Sequence, residues 1–391
     1  MTRKHVNKVL IVGAGIGGLT TAIALQKIGI KTEIVEKSAE WNVYGVGIIQ
    51  PCNMLRALDE IGLAQDCMKE GYPYPGYNYH KGDGYLMFGG DSPTIEGYPA
   101  NNGISRKTLH KLLLEKALAE GTTIQMGTTI ASLEELSDGI SVELTNGQTA
   151  TYDLVVASDG ANSMMREKLF GQKKLTYSEL GVWRYTLKKP ENITRGAFYY
   201  GEQSKAGIVP MSDDEMYLLL TSHEPSTERF PEDQLHELLK ERLAEYSGLI
   251  AELKEQIVEP ANVVYRPIYT GFLAGDWYKG RILLIGDAAH TTSPHLGQGA
   301  SITIEDAVVL AEILKQDLSV EETFKIFMKL RYERCKFVVD ASDQLIEWEL
   351  LEWRKALPPE VNFAKYAIEA IIEMNKPIMD DSIIDGAKVE G

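Results

Sequence analysis

Val9–Val12 is an unbroken apolar run, and it reads as a strand covered on both faces, as in a parallel sheet. Glycines follow at 13, 15 and 18. An apolar helical run from Leu19 to Ile28 is then stopped by Gly29, and a second strand over Lys31–Val35 ends at the acid Glu36. Further along, Pro51 and Asn53 lead into a helix over Met54–Ile61. The stretch Gly71–Gly103 is rich in Gly, Tyr and Pro, with short strands expected at 76–80 and 85–88. Ser105 caps a helix over 106–120 that places Leu109, Leu112, Leu113 and Ala117 at helical spacing. A hairpin at Asn146-Gly147 joins strands over 140–144 and 148–152. An apolar strand over 154–158 then runs into Asp159-Gly160. From Leu180 to Glu224 strand-like spacings dominate and predict an antiparallel sheet. A helix over 232–246 carries Leu235, Leu238, Leu239 and Leu243 on one face, and a strand over 263–269 follows. Arg281–Leu284 reads as a buried strand ending at Gly286-Asp287. The remainder is helical over 302–315, 320–353 and 362–374, with an acidic tail over 380–391.

This order predicts an α/β protein whose nucleotide-binding domain is interrupted twice. Its parts are expected at 1–71, 101–177 and 271–345. A β-sheet domain for substrate takes 72–100 and 178–270, and a helical extension and tail takes 346–391. A pocket between the two domains is the expected place for chemistry.

Composition narrows the class. The 391 residues are 44% hydrophobic and 25% charged, ordinary for a globular protein, and the net charge of −16 argues against nucleic acid or an anionic membrane as partner. Three scattered cysteines supply neither a disulfide framework nor a metal-ligand spacing, so no metal is expected and a reducing cytoplasm fits best. Arg3, Lys4 and Lys8 before an apolar run mimic a signal peptide, but glycines break that run and no cleavage site follows.

Three motifs carry chemistry. The first is the G-x-G-x-x-G spacing of Gly13, Gly15 and Gly18, with Glu36 where a ribose-binding carboxylate belongs. Such a turn places a helix N-terminus, with its free N–H groups and positive dipole end, against a pyrophosphate. The second is Asp159-Gly160 at the carboxyl end of a buried strand, followed by Ser163 and Arg166. The third runs from Gly286-Asp287 through Pro294, Gly297 and Gly299 into a helix near Ala300. Its glycines let backbone N–H groups lie against a planar ring, which suits a flavin. By itself the first motif leaves NAD, NADP and FAD open.

Together the three motifs resemble the single-component, group A FAD-dependent aromatic monooxygenases of the para-hydroxybenzoate hydroxylase fold. The stretch TTSPHLGQGAS–EDAVVL is most similar to the urate and salicylate hydroxylase branch. The resemblance covers about residues 6–345 and implies a Rossmann-like FAD-binding domain with an antiparallel-sheet substrate domain and C-terminal helices. It implies bound FAD, with NADH or NADPH and O2 as transient co-substrates, and hydroxylation of a small aromatic or N-heteroaromatic compound through a flavin C4a-hydroperoxide. Gly13, Gly15, Ile16 and Gly18 would hold the pyrophosphate, Glu36 and Lys37 the adenosine end, and Arg106 and Asp159 the cofactor from the sides. Asp287 would meet its ribityl or pyrophosphate part, and Pro294, Gly297, Gly299 and Ala300 would line the ring. Many members carry an arginine where this chain reads Asn42, Val43, Tyr44. Arg184, Tyr217, His223 and Tyr269 are the candidates for the substrate side, with no certain catalytic residue. A monomer or homodimer is expected. An epoxidase or antibiotic-modifying enzyme on the same fold, and a redox-silent FAD-binding protein, are the alternatives.

Overall fold

The structure is a computed structural model, and it describes residues 5–41, 45–171, 175–227 and 229–379. The expectations on Arg3, Lys4, Asn42–Tyr44 and the acidic tail over 380–391 lie outside the described residues.

The first apolar run forms the strand Lys8–Val12 at the heart of a six-stranded sheet. It pairs in parallel with Lys31–Glu36 on one side and Leu154–Ala157 on the other. Thr123–Met126 extends the sheet past Lys31–Glu36, and Ile282–Leu284 extends it past Leu154–Ala157. Three segments distant in the chain thus meet in one sheet, and the strand ends that carry Gly13, Asp159 and Asp287 come to the same edge. The helix Ile16–Lys27 explains the early run of small and apolar residues. It is buried from Gly17 to Leu25, so its apolar residues point in every direction. Gly17 lets it touch the helix Gly299–Leu314, since a Cβ there would sit 2.4 Å from Ser158 Oγ and 2.7 Å from Thr303 Cγ2. No helix among the described residues is long and apolar enough to cross a membrane.

The second sheet has eight strands. In spatial order they are His290–Thr291, Val264–Phe272, Thr176–Lys188, Glu215–His223, Ser204–Pro210, Gly196–Tyr200, Gly76–Lys81 and Leu86–Asp91. Its back face packs Trp183, Tyr185, Ile208 and Leu218 against the helices Leu235–Arg242 and Leu249–Lys254. Its front face looks toward the nucleotide-binding sheet. Between the two lies a small sheet of Gly47–Pro51, Asn101–Ser105 and Tyr72–Tyr74. The Gly-, Tyr- and Pro-rich excursion therefore joins both sheets instead of standing apart.

Several boundaries move. The expected helix over 232–246 is shorter, Leu235–Arg242 after a 3-10 turn. The helix expected from 302 begins at Gly299, because the loop before it closes at Gly297 in the left-handed region. The long helix Val320–Trp353 is one continuous element, started by a capping box in which Ser319 and Glu322 satisfy each other's backbone N–H.

Candidate active site

The turn after Lys8–Val12 is built by two glycines with no room for more. A Cβ on Gly13 would lie 2.4 Å from the Ser158 carbonyl oxygen, and one on Gly18 would lie 1.8 Å from that of Gly13. Gly15 is different: nothing lies within 4 Å of where its Cβ would be. No side chain caps the helix that begins at Ile16, and no acid stands in its first turn. Its free N–H groups and the open space at Gly15 fit a pyrophosphate. Glu36 is aimed by two backbone donors, with the Ala14 N–H on Oε2 at 2.9 Å and the Ser38 N–H on Oε1 at 2.8 Å. Lys37 beside it is exposed.

Asp159 caps the helix Met164–Phe170 region, accepting from Ser163 Oγ at 2.5 Å and from the Met165 N–H at 3.0 Å. Arg166 donates to the carbonyls of Ala288 at 3.0 Å and Asp287 at 3.2 Å, which ties this turn to the third motif. Asp287 is exposed to the cleft. Enclosure by the protein raises its carboxyl above the usual range, against the pull of His290, Arg106 and Arg166. Arg106 lies across the cleft and donates Nε to the Gly47 carbonyl at 3.2 Å. Burial lowers its guanidinium, with Tyr217 and Asp287 opposing.

The loop Pro294–Gly299 is held from behind by a polar network that reading the sequence did not find. Gln298 and Asn53 exchange side-chain hydrogen bonds at 2.9 and 3.1 Å, and Asn53 also donates to Glu305. Arg331, buried on the long helix, donates to Asp306 at 2.7 Å and to Glu305 at 3.0 Å. Asp306 in turn accepts from the Gly286 N–H at 3.0 Å and lies 2.7 Å from His290 Nε2. His290, Asp306 and Cys335 lie close enough to suggest a metal site, but the Arg331 guanidinium already supplies the positive charge there. One signal was available: two adjacent acids, Glu305 and Asp306, sit inside an otherwise apolar helix and must find buried partners.

The substrate-side candidates separate into two groups. Arg184 and Tyr217 lie on neighbouring strands of the eight-stranded sheet, both on its front face. Tyr217 packs onto Gly47, where a Cβ would come within 2.2 Å of its ring. Arg184 makes no hydrogen bond or ion pair within the protein among the described residues. Burial and the nearby Arg106 lower its guanidinium to about 10, so it stays charged at neutral pH. The Tyr217 hydroxyl is pushed by burial up to about 12.

His223 and Tyr269 do not join them. His223 lies six residues along the strand from Tyr217, roughly 20 Å away, and pairs with Glu179 at 3.5 Å. Tyr269 pairs with Tyr177, its ring 5.3 Å away, on the opposite side of the sheet from Arg184. A register shift between Tyr177 and Gly181 separates that end of the strand from the pattern around Arg184.

Comparison with known proteins agrees with this geometry. The FAD binding domain family matches residues 7–341. The 2-heptyl-3-hydroxy-4(1H)-quinolone synthase of Pseudomonas aeruginosa is 31% identical over 352 residues, covering 87% of this chain and 90% of that protein. The FAD-dependent urate hydroxylase of Mycolicibacterium vanbaalenii is 29% identical, covering 85% and 86%. Klebsiella pneumoniae HpxO, solved with FAD and uric acid, superposes with a TM-score of 0.80 over 97% of this chain and 95% of that one, at 24% identity. The chain therefore belongs to the FAD binding domain family and, within it, to the single-component FAD-dependent aromatic monooxygenases.

Proposed function

We propose that this protein uses NADH or NADPH and O2 to hydroxylate a small aromatic or N-heteroaromatic compound that carries negative charge. The observation that carries the reading is Arg184. An enclosed guanidinium without a hydrogen-bond or ion-pair partner among the described residues, beside a second guanidinium at Arg106, favours an anion between them. In a chain of net charge −16, this local positive field is what draws such a substrate in.

In this reading Gly13, Gly15, Ile16 and Gly18 hold the FAD pyrophosphate, Glu36 accepts from the adenosine ribose, and Lys37 stands beside it. Arg106, Asp159 and Asp287 border the rest of the cofactor. Pro294, Gly297, Gly299 and Ala300 lie against its ring. Bound FAD supplies the redox chemistry and the activated oxygen; the protein positions the substrate and keeps water away. Tyr217, whose hydroxyl burial keeps protonated, donates a hydrogen bond to a substrate oxygen or nitrogen while Arg184 holds the anionic group. No second dinucleotide motif is present, so the nicotinamide cofactor visits instead of residing.

The test is a panel of aromatic acids, phenolates and N-heterocycles offered to the FAD-loaded protein while NADH or NADPH consumption is followed. An anionic compound that stimulates consumption, with the stimulation weakened by Arg184→Gln, supports the reading. Stimulation only by neutral compounds, untouched by Arg184→Gln, contradicts it.

A further inference from the structure

The loop Pro294–Gly299 is held from two sides, and only one of them belongs to the nucleotide-binding domain. On that side Gln298 meets Asn53. On the other stands His295, whose ring is engaged at both nitrogens. Nε2 lies 2.9 Å from Glu349 Oε2, and Nδ1 lies 2.8 Å from Ser293 Oγ. Burial works against a charge on Glu349, but Lys205 and His295 keep its carboxyl ionised. An ionised carboxylate can only accept, so His295 Nε2 carries a proton and donates to it. The His295 and Glu349 side chains are 3% and 4% exposed, which shields the bond from bulk solvent.

The other oxygen of Glu349 accepts from Lys205 Nζ. Strand register places Lys205 on the front face of the eight-stranded sheet, the face that carries Arg184. Lys205 is opposite Thr221, and Thr221 is opposite Val182, two residues before Arg184. At about 4.8 Å per strand and 3.4 Å per residue, the Cα atoms of Lys205 and Arg184 are roughly 12 Å apart along that face. The helix that supplies Glu349 packs there too: Ile346, with Leu350 and Trp353 beside it, meets Leu180, Val182 and Ile268. Glu349 therefore bridges the loop and the sheet. It lies past residue 341, where the match to the FAD binding domain family ends.

We propose that Glu349 is a positioning residue for hydroxylation: through His295 and Lys205 it latches the loop to the sheet and fixes the distance between the loop and the compound held at Arg184. The proposal rests on the reading that this loop lies against the FAD ring and that Arg184 anchors the substrate. Two outcomes then compete for O2. In the productive one, substrate C–H, O2, NAD(P)H and H+ give C–OH, H2O and NAD(P)+, and the C–H bond and the nicotinamide each give up two electrons. In the unproductive one, O2, NAD(P)H and H+ give H2O2 and NAD(P)+, and the substrate is left untouched. Oxygen transfer needs the reacting atoms close and aligned, and a misplacement of about 1 Å costs on the order of a hundredfold in such a step. Nicotinamide oxidation does not involve the anchored carbon, so a broken latch spares it and diverts oxygen to peroxide.

The test compares the FAD-loaded protein with Glu349→Gln and Lys205→Met, which break the latch at different partners, and with Lys205→Arg, which keeps the ion pair. Two readouts are taken: amide hydrogen exchange over residues 292–299 by mass spectrometry, and hydroxylated product formed per NADH or NADPH consumed with the stimulating anionic aromatic compound. Glu349→Gln and Lys205→Met are expected to speed exchange over the loop about tenfold. They are also expected to lower product per nicotinamide about tenfold or more, with hydrogen peroxide rising to match and FAD content unchanged. Lys205→Arg is expected to behave as the unmodified protein in both readouts. Loop exchange unaltered by Glu349→Gln and Lys205→Met overturns the latch. Faster exchange with unaltered product per nicotinamide overturns the positioning role, as does a loss that Lys205→Arg shares. If the unmodified protein hydroxylates no compound, the hydroxylase reading fails, and the latch stands or falls on loop exchange alone.

Discussion

Single glycines in this protein do two different jobs, and substitution separates them. Gly18→Ala forces a Cβ into the Gly13 carbonyl, so it is expected to lower the melting temperature of the protein even without cofactor. Gly15→Val meets no protein atom, so the apo fold survives while FAD affinity drops at least tenfold, read by flavin fluorescence titration and a thermal melt. Arg184→Gln removes a charge-assisted contact, worth about 1.5–3 kcal/mol. That raises the dissociation constant of an anionic aromatic ligand about ten- to hundredfold, with FAD content unchanged. The glycines and Glu36 were legible in the sequence because their job is local: a turn, a close approach and an acid at the end of the next strand. Arg184 and Tyr217 stood out as residue types, but their meeting depends on pairing between strands more than 30 positions apart in the chain. His223 and Tyr269 show the limit of that reading. Both are polar strand residues, and only strand position and face exclude them from the pocket.

At the scale of elements, the loop Pro294–Gly299 keeps its shape through helices that never touch substrate. Glu305 and Asp306 face Arg331 across the packed helices Gly299–Leu314 and Val320–Trp353. Burial alone would raise both carboxyls, but the arginines Arg331 and Arg334 at Glu305, and His290 with Arg331 at Asp306, hold them below the usual range. Arg331→Met leaves two buried acids short of a partner and is expected to cost about 3–5 kcal/mol in urea unfolding. It should also loosen FAD, since Asp306 fixes the Gly286 turn and Glu305 supports Asn53 and Gln298. The helices themselves were readable from their apolar spacing. The network was not, because each of its members is an ordinary polar residue until the fold brings Asn53, Gln298, Glu305 and Arg331 together from separate parts of the chain.

Across the whole molecule, one buried cluster joins three regions. Lys205 comes from the eight-stranded sheet, Glu349 from the long helix, and His295 from the loop between Pro294 and Gly297. Burial would raise the Glu349 carboxyl, but Lys205 and His295 hold it down to about 2, against an ordinary 4.5. A carboxylate depressed in the folded state adds stability above its unfolded pKa and loses it as pH falls through the folded value. The difference corresponds to about 3 kcal/mol, present above roughly pH 5 and lost toward pH 2. Glu349→Gln should flatten that part of the stability–pH profile measured by denaturant unfolding. The same cluster ties the sheet, the loop and the C-terminal helix to one another. What that site does is read most directly from the fate of oxygen. FAD-loaded protein is supplied with NADH or NADPH, the stimulating anionic aromatic compound and isotopically labelled O2, and the product is analysed by mass spectrometry. The account predicts a product heavier by one labelled oxygen atom. Stimulated nicotinamide oxidation that yields only hydrogen peroxide and unchanged aromatic compound, for every compound offered, would contradict it.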